Sequence, residues 1–268
     1  MQSTIKLGLV TDHAPIEDVV DGWDYYEIPN ALHVMPFESE VNWKRSRDRY
    51  RARGVPTPVS SHYTQRFGLS ASGPSYDRHQ QMFWAERSFR RLHEIGVRVV
   101  GVYGGFFSNP ADYPEGKALD DARSFCNILA DHAEQYDMQI ALEPNANPQT
   151  LFPSYGEGLA FARSLGRRSV RLMVDLNYFL KLGEPLESID PDYCLHVHMA
   201  GDHSQPNLNE RSEAYDHLFT ALKNIGYTGT VSVASPWRST RQTEEVDFAY
   251  ETEVTLKYMQ KLRERHFG

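Results

Sequence analysis

Eight short apolar runs, separated by stretches of helical period, constrain the fold more than any other feature of this chain. They are "IKLGLVTD" (5–12), "DYYEIPN" (24–30), "TPVSSHYT" (57–64), "VRVVGVYGG" (97–105), "MQIALEPN" (138–145), "VRLMVDLNY" (170–178), "CLHVHMAG" (194–201) and "GTVSVAS" (229–235). Several are nearly continuous in apolar residues, as expected of parallel strands covered on both faces. Between them the period changes. Met82, Ala85, Phe89, Leu92 and Ile95 recur every three or four residues and mark one helix face. Tyr215, Leu218, Phe219, Leu222 and Ile225 mark another. Gly96, Gly166 and Gly226 follow such stretches, where helix C-termini favour glycine. The first two runs are joined by a short link, with room for one or two helical turns around 16–20.

Eight strands alternating with helices over 268 residues match the α/β class and the (β/α)8 TIM barrel, as one domain over 1–268. The rival is a doubly wound open sheet, which usually carries a glycine-rich phosphate turn after an early strand. "TDHAPIED" is no such turn.

In a barrel of this kind, chemistry gathers at the C-terminal strand ends. Those ends hold Asp12, His13, Glu27, His62, Tyr103, Glu143, Asp175, Tyr178, His196, His198, Ala234 and Ser235. Glu143, Asp175 and His198 come from consecutive strands and can converge on one point. Two carboxylate oxygens and an imidazole nitrogen suit Mn²⁺, Mg²⁺, Co²⁺ or Zn²⁺. Each acid also has a purely structural reading, as the N-cap of the following helix. His196 and His198 point to the same side by the strand period of two, so one can bind metal while the other hydrogen-bonds inside the barrel. His62 alone reads as structural, and His93, His132, His203 and His217 read as surface residues.

The formal net charge of −8 disfavours a nucleic-acid partner, because phosphate binding is driven by lysine and arginine. Two cysteines, Cys126 and Cys194, make no disulfide framework. No apolar run approaches the ~18 residues of a membrane span, and "MQSTIKLGLVTD" lacks the apolar region of a secretory signal. A cytoplasmic protein with no membrane partner is the expectation.

The order of motifs resembles the xylose isomerase-like TIM barrel superfamily, in its sugar isomerase/epimerase branch that includes the D-tagatose 3-epimerases. The matching stretches are "WDYYEIP", "ALEPNANP", "VRLMVDLNYF", "LHVHMAGDHSQP" and "ALKNIGYTGTVSV", and the likeness runs from about Lys6 to about Leu262. The resemblance implies one divalent ion, often manganese, held by four side chains. Glu143 matches the ligand of the family's "LEP" motif, Asp175 the ligand after strand six and His198 the second histidine of "HxH". It also implies a carbohydrate or glycoside substrate and a homo-oligomer, dimer or tetramer. In the epimerases the first and last glutamates act as acid/base groups on opposite faces of the sugar, through an enediolate stabilised by the metal.

Here the sequence departs from the family. The fourth ligand is a glutamate in a pattern like "GYxGxxSxE", and its position is Ala234. A family histidine is replaced by Tyr178 and a family arginine by Ser204. Three readings of Ala234 stand. The natural chain carries Glu there and this sequence holds an inactivating Ala. Or three side chains and water hold the metal, and a one-base isomerisation or an elimination follows, as in sugar dehydratases and C-glycoside-cleaving relatives. Or the site is inactive, and the protein binds sugar or regulates. Glu143, His62 and His196 are the catalytic candidates, with Tyr178, Glu27 or Asp202 as further candidates for a second acid/base. Glu27, Tyr103, Tyr178, Trp237 and Arg238 are the candidate substrate contacts, and Arg66 a further anion site. Tyr25, Tyr63, Phe106 and Phe107 are expected near the barrel mouth. A DNA-repair relative of the same superfamily would need more histidines and a basic groove, which this acidic chain lacks.

Overall fold

A computed structural model describes residues 4–11, 16–61, 63, 70–199, 212–234 and 247–268. Eight parallel strands close a barrel in chain order: β1 (Lys6–Val10), β2 (Tyr25–Pro29), β3 (Val59–Ser61), β4 (Val99–Tyr103), β5 (Gln139–Glu143), β6 (Val170–Asp175), β7 (Cys194–His198) and β8 (Thr230–Val233). The register Lys6↔Thr230 to Leu9↔Val233 joins the last strand to the first and excludes the open sheet. Each of the eight expected runs contains one strand.

Helices α1 (Glu40–Arg53), α2 (Arg78–Glu94), α3 (Glu115–Gln135), α4 (Tyr155–Leu165), α5 (Leu176–Leu182), α6 (Ser212–Asn224) and α7 (Phe248–Phe267) follow β2 through β8 in turn. Gly166 ends α4 at φ 65°, as the glycine pattern predicts. Val100, Ile140, Leu142, Val174, Val197 and Val231 face outward from the strands and are buried, forming one core with Phe89, Phe125, Leu129, Phe161 and Phe219 of the helices. This two-sided burial explains the continuous apolar runs.

Four expectations are corrected. No helix forms at 16–20: residues 16–18 are a turn, and the Val20 N–H donates to Thr252 Oγ1 of α7 at 3.4 Å instead of to a helical carbonyl. Run six stops being a strand at Asp175, whose carboxylate accepts from Asn177 N at 2.7 Å and starts α5, so Tyr178 lies on a helix. Met82 is exposed, because α2 turns Gln81 inward to donate to Ser70 O at 3.0 Å. His132 is half-buried rather than a surface residue, stacked on Phe89 with ring centroids 6.0 Å apart.

The barrel interior is closely filled. The Tyr25 ring lies against Gly8, and its hydroxyl hydrogen-bonds Ser232 Oγ at 2.7 Å. A Cβ on Gly8 would stand 2.2 Å from the ring. Gly8→Ala should therefore lower unfolding stability by about 1–3 kcal/mol, the usual effect of overpacking a filled core. Urea titration followed by circular dichroism measures this, and an unchanged midpoint would contradict the packing.

Candidate metal centre

Strand alternation decides which side chains enter the lumen. On β8, Thr230 and Ser232 both reach interior partners, so Ala234, two residues on, shares their inward face. It is half-buried and offers only a methyl group. On β5, Leu142 points to the helices and Glu143 inward. The turn after β4 passes tightly against the same strand: a Cβ on Gly104 would lie 2.1 Å from the Glu143 carbonyl oxygen.

A bulge aligns the other two donors. Regular pairing from Leu172↔Cys194 would set Asp175 beside Val197 rather than beside His198. The register shifts between Leu172 and Met173, giving Met173↔His196 and Asp175↔His198. One extra residue on β7 thus brings an acid and an imidazole to one face.

Glu143, Asp175 and His198 are all buried, with potential ligand atoms within 4.8 Å of one another. His198 Nδ1 stands 3.6 Å from Glu143 Oε1. Its other nitrogen faces a different carboxylate. Glu27 of β2, with no exposed surface, places Oε1 2.8 Å from His198 Nε2 and Oε2 2.9 Å from His196 Nε2. His196 Nδ1 then meets Thr230 Oγ1 at 2.7 Å. Glu27, His196 and His198 form a second compact donor group that shares His198 with the first.

The charges are strongly coupled. Burial, followed by the negative charge of Glu143, pushes the Asp175 carboxyl well up. Burial opposes the charged form of His198, but Glu27 and Glu143 outweigh it and hold that imidazole well above its usual range. Burial likewise works against ionised Glu27, and the two histidines overcome it, holding the carboxyl well down. Burial pushes His196 down. Burial and the Glu143 and Asp175 charges push the Tyr178 phenol far up.

The donor set fits a divalent cation. Two oxygens and a nitrogen match a hard or borderline ion, and two facing buried carboxylates are the kind of donors a divalent cation takes. Cys194 takes no part: it packs in the apolar core, and burial pushes its thiol up to about 12.

Several residues stand apart from their expected places. Glu27 is enclosed rather than open to substrate. His196 is fully buried with both ring nitrogens engaged, so it lies beneath the donor set rather than over it. Tyr25, Tyr63 and Phe107 are buried: Tyr25 fills the lumen, Tyr63 packs near Phe89 and Phe125, and Phe107 near Phe125, Phe152 and Phe161. Tyr103, Phe106 and Tyr178 remain partly exposed; the Tyr103 and Phe106 rings meet edge-on at 5.6 Å, and Asn145 Nδ2 donates to the Tyr178 hydroxyl at 3.3 Å. Asp12, His13, His62, Arg66, Asp202, His203, Ser204, Ser235, Trp237 and Arg238 lie outside the described residues. Sequence reasoning missed the contact between Glu27 and both histidines, and the anchor at Thr230. The available signal was a carboxylate in the apolar run "YYEIP", which demands a buried partner.

The fold and site together define an α/β barrel with a candidate divalent-metal site among acids and imidazoles at its C-terminal strand ends. The pattern of the xylose isomerase-like TIM barrel family matches residues 20–260, and the chain belongs to that family. A D-psicose 3-epimerase of Agrobacterium fabrum is 23% identical over 220 residues, covering 78% of this chain and 74% of that protein. A crystal structure of a D-psicose 3-epimerase in the presence of D-fructose superposes with a TM-score of 0.77 at 16% identity, covering 98% of this chain and 100% of that one. The IolI protein with a bound zinc atom gives 0.72 at 16% identity, covering 98% and 100%. Among the described residues, no helix is long and apolar enough to cross a membrane.

A carboxyl whose pKa is raised on folding supports the fold while protonated and costs stability as pH climbs from the unfolded value, 3.8 for Asp, through the folded one. Asp175→Asn keeps the helix cap and removes that cost. The metal-free variant should melt above the parent chain at pH 8, by a margin that shrinks at pH 4.5. Equal melting temperatures at pH 8 would contradict the buried acid pair.

Proposed function

We propose that the chain is a divalent-metal-dependent sugar isomerase or epimerase, with Glu143, Asp175 and His198 as the metal ligands. The observation that carries this reading is the convergence of those three buried donors from β5, β6 and β7. The family membership and the sugar-epimerase relative support the substrate class. A bound divalent ion would act there as a Lewis acid toward a sugar carbonyl and its neighbouring hydroxyl.

Glu143 is the proton acceptor for the carbon next to that carbonyl. Its carboxylate lies at the strand end, and general-base catalysis needs such a group within hydrogen-bond reach. Tyr103, Phe106 and Tyr178 line the approach; aromatic faces suit the C–H faces of a sugar, and the phenols offer donors to its hydroxyls. His196 supports His198 from below. Manganese is the ion we favour, with Mg²⁺, Co²⁺ and Zn²⁺ as alternatives.

Ala234 narrows the chemistry. Epimerisation by two bases needs a second acid/base across the substrate, and β8 supplies none. One carboxylate suffices to move a proton along one face, as in aldose–ketose isomerisation. It also suffices for elimination, so lyase chemistry on a keto-glycoside is the second reading.

Turnover of manganese-loaded protein on ketoses, aldoses and 3-keto-glycosides tests the proposal. We expect isomerisation or elimination by the chain as written, a loss of about 100-fold or more in Glu143→Gln, and a gain of epimerase activity in Ala234→Glu. No turnover with any sugar by either the parent chain or Ala234→Glu would sink the enzyme reading.

Metal uptake gives a separate check. Asp175 and His198 hold their protons to higher pH than usual, and binding must displace them, so affinity rises with pH and protons are released. Calorimetric titration with Co²⁺ at pH 6 and pH 8 should show tighter binding at pH 8; equal affinity would contradict the ligand assignment.

A further inference from the structure

The Glu27 carboxylate is buried in the barrel with both oxygens directed at imidazole nitrogens. An ionised carboxylate only accepts hydrogen bonds. Both Nε2 atoms must therefore carry protons and donate to it. For His196, the remaining Nδ1 is then an acceptor for the Thr230 hydroxyl at 2.7 Å. For His198, the remaining Nδ1 faces Glu143.

We propose that Glu27 is the positioning residue of the metal centre: it fixes the tautomer and ring plane of His198 so that Nδ1 alone is offered as a ligand. His196, held by Thr230, keeps Glu27 itself in place. The chain Thr230–His196–Glu27–His198 thus runs from β8 through β7 and β2 back to β7. A second carboxylate set behind a metal-bound histidine raises its basicity and orients it.

The alternative use of the same atoms is a second metal held by Glu27, His196 and His198. It is disfavoured because His198 would have to give both ring nitrogens to metals, leaving neither protonated. The two Glu27 contacts at 2.8 and 2.9 Å are also ordinary hydrogen-bond lengths.

The inference rests on the proposed metal ligands, but its first test needs no metal. Nitrogen-15 NMR of the metal-free chain, recorded at a pH high enough for both imidazoles to be neutral, reads the tautomers directly. The His196 and His198 Nε2–H protons should appear as slowly exchanging signals, each held by a Glu27 oxygen. A His198 whose Nε2 is unprotonated would overturn the proposal.

The second test is Co²⁺ titration of the parent chain, Glu27→Leu and Glu27→Gln, with folding checked by near-ultraviolet circular dichroism. Glu27→Leu should bind about 10–100-fold more weakly. Glu27→Gln should bind better than Glu27→Leu, because one oxygen still accepts from His198 while the amide donates to His196. In that variant one Nε2–H signal persists and the other is lost. Affinity of Glu27→Leu equal to that of the parent, or two Co²⁺ bound per parent chain, would overturn the proposal. If the parent chain bound no Co²⁺ at all, the metal reading would fall, and the tautomer measurement would still decide the role of Glu27.

Discussion

Closure of the sheet between β8 and β1 decides which side chains can meet inside this molecule. β2 and β7 are not neighbours; β1 and β8 lie between them. Only a sheet curled shut brings Glu27 across the lumen to histidines 169 and 171 residues away in sequence. The same closure turns Tyr25 toward Ser232 and makes Gly8 necessary beneath the ring. In an open sheet these polar groups would have no partners, and buried polar groups without partners are costly.

Closure also concentrates charge. Three carboxylates and two imidazoles share the upper lumen, nearly all hidden from water. Glu27 is accommodated because two imidazole N–H groups face it. Burial, followed by the charge of the facing Glu143, makes Asp175 resist ionisation, and His198 offsets part of this. The interior therefore divides into one half around Glu27, whose two oxygens both meet imidazole nitrogens, and one around Glu143 and Asp175. His198 belongs to both, with one ring nitrogen in each.

The sequence carried much of this at the level of elements. Each apolar run holds a strand because parallel strands need burial on both sides, and that requirement is written in composition. Glu143, Asp175 and His198 were legible because each ends a strand on its inward parity. The bulge in β7 was not, since nothing in "CLHVH" distinguishes a regular strand from one carrying an extra residue. The fate of Glu27 was not legible either: parity turned it inward, but its partners depend on which strands face across the lumen. The aromatic residues were the least readable. Tyr25, Tyr63 and Phe107 fill the lumen or the helix layer instead of lining the mouth, because packing uses any ring that fits. Tyr178 moved from strand to helix because Asp175 serves as a cap as well as a donor.

Ala234 stands in a stretch that is otherwise regular. Its inward face is set by Thr230 and Ser232, so the place for a β8 carboxylate exists without the carboxylate. A metal site on three side chains, supported from behind by Glu27, is the central claim. A crystal structure of the protein soaked with Mn²⁺, with an anomalous difference map, tests it most directly. One peak bounded by Glu143, Asp175 and His198 Nδ1, with Glu27 still hydrogen-bonded to both Nε2 atoms, is the predicted result. No peak in the lumen, or a peak between Glu27 and the two histidines, would contradict it.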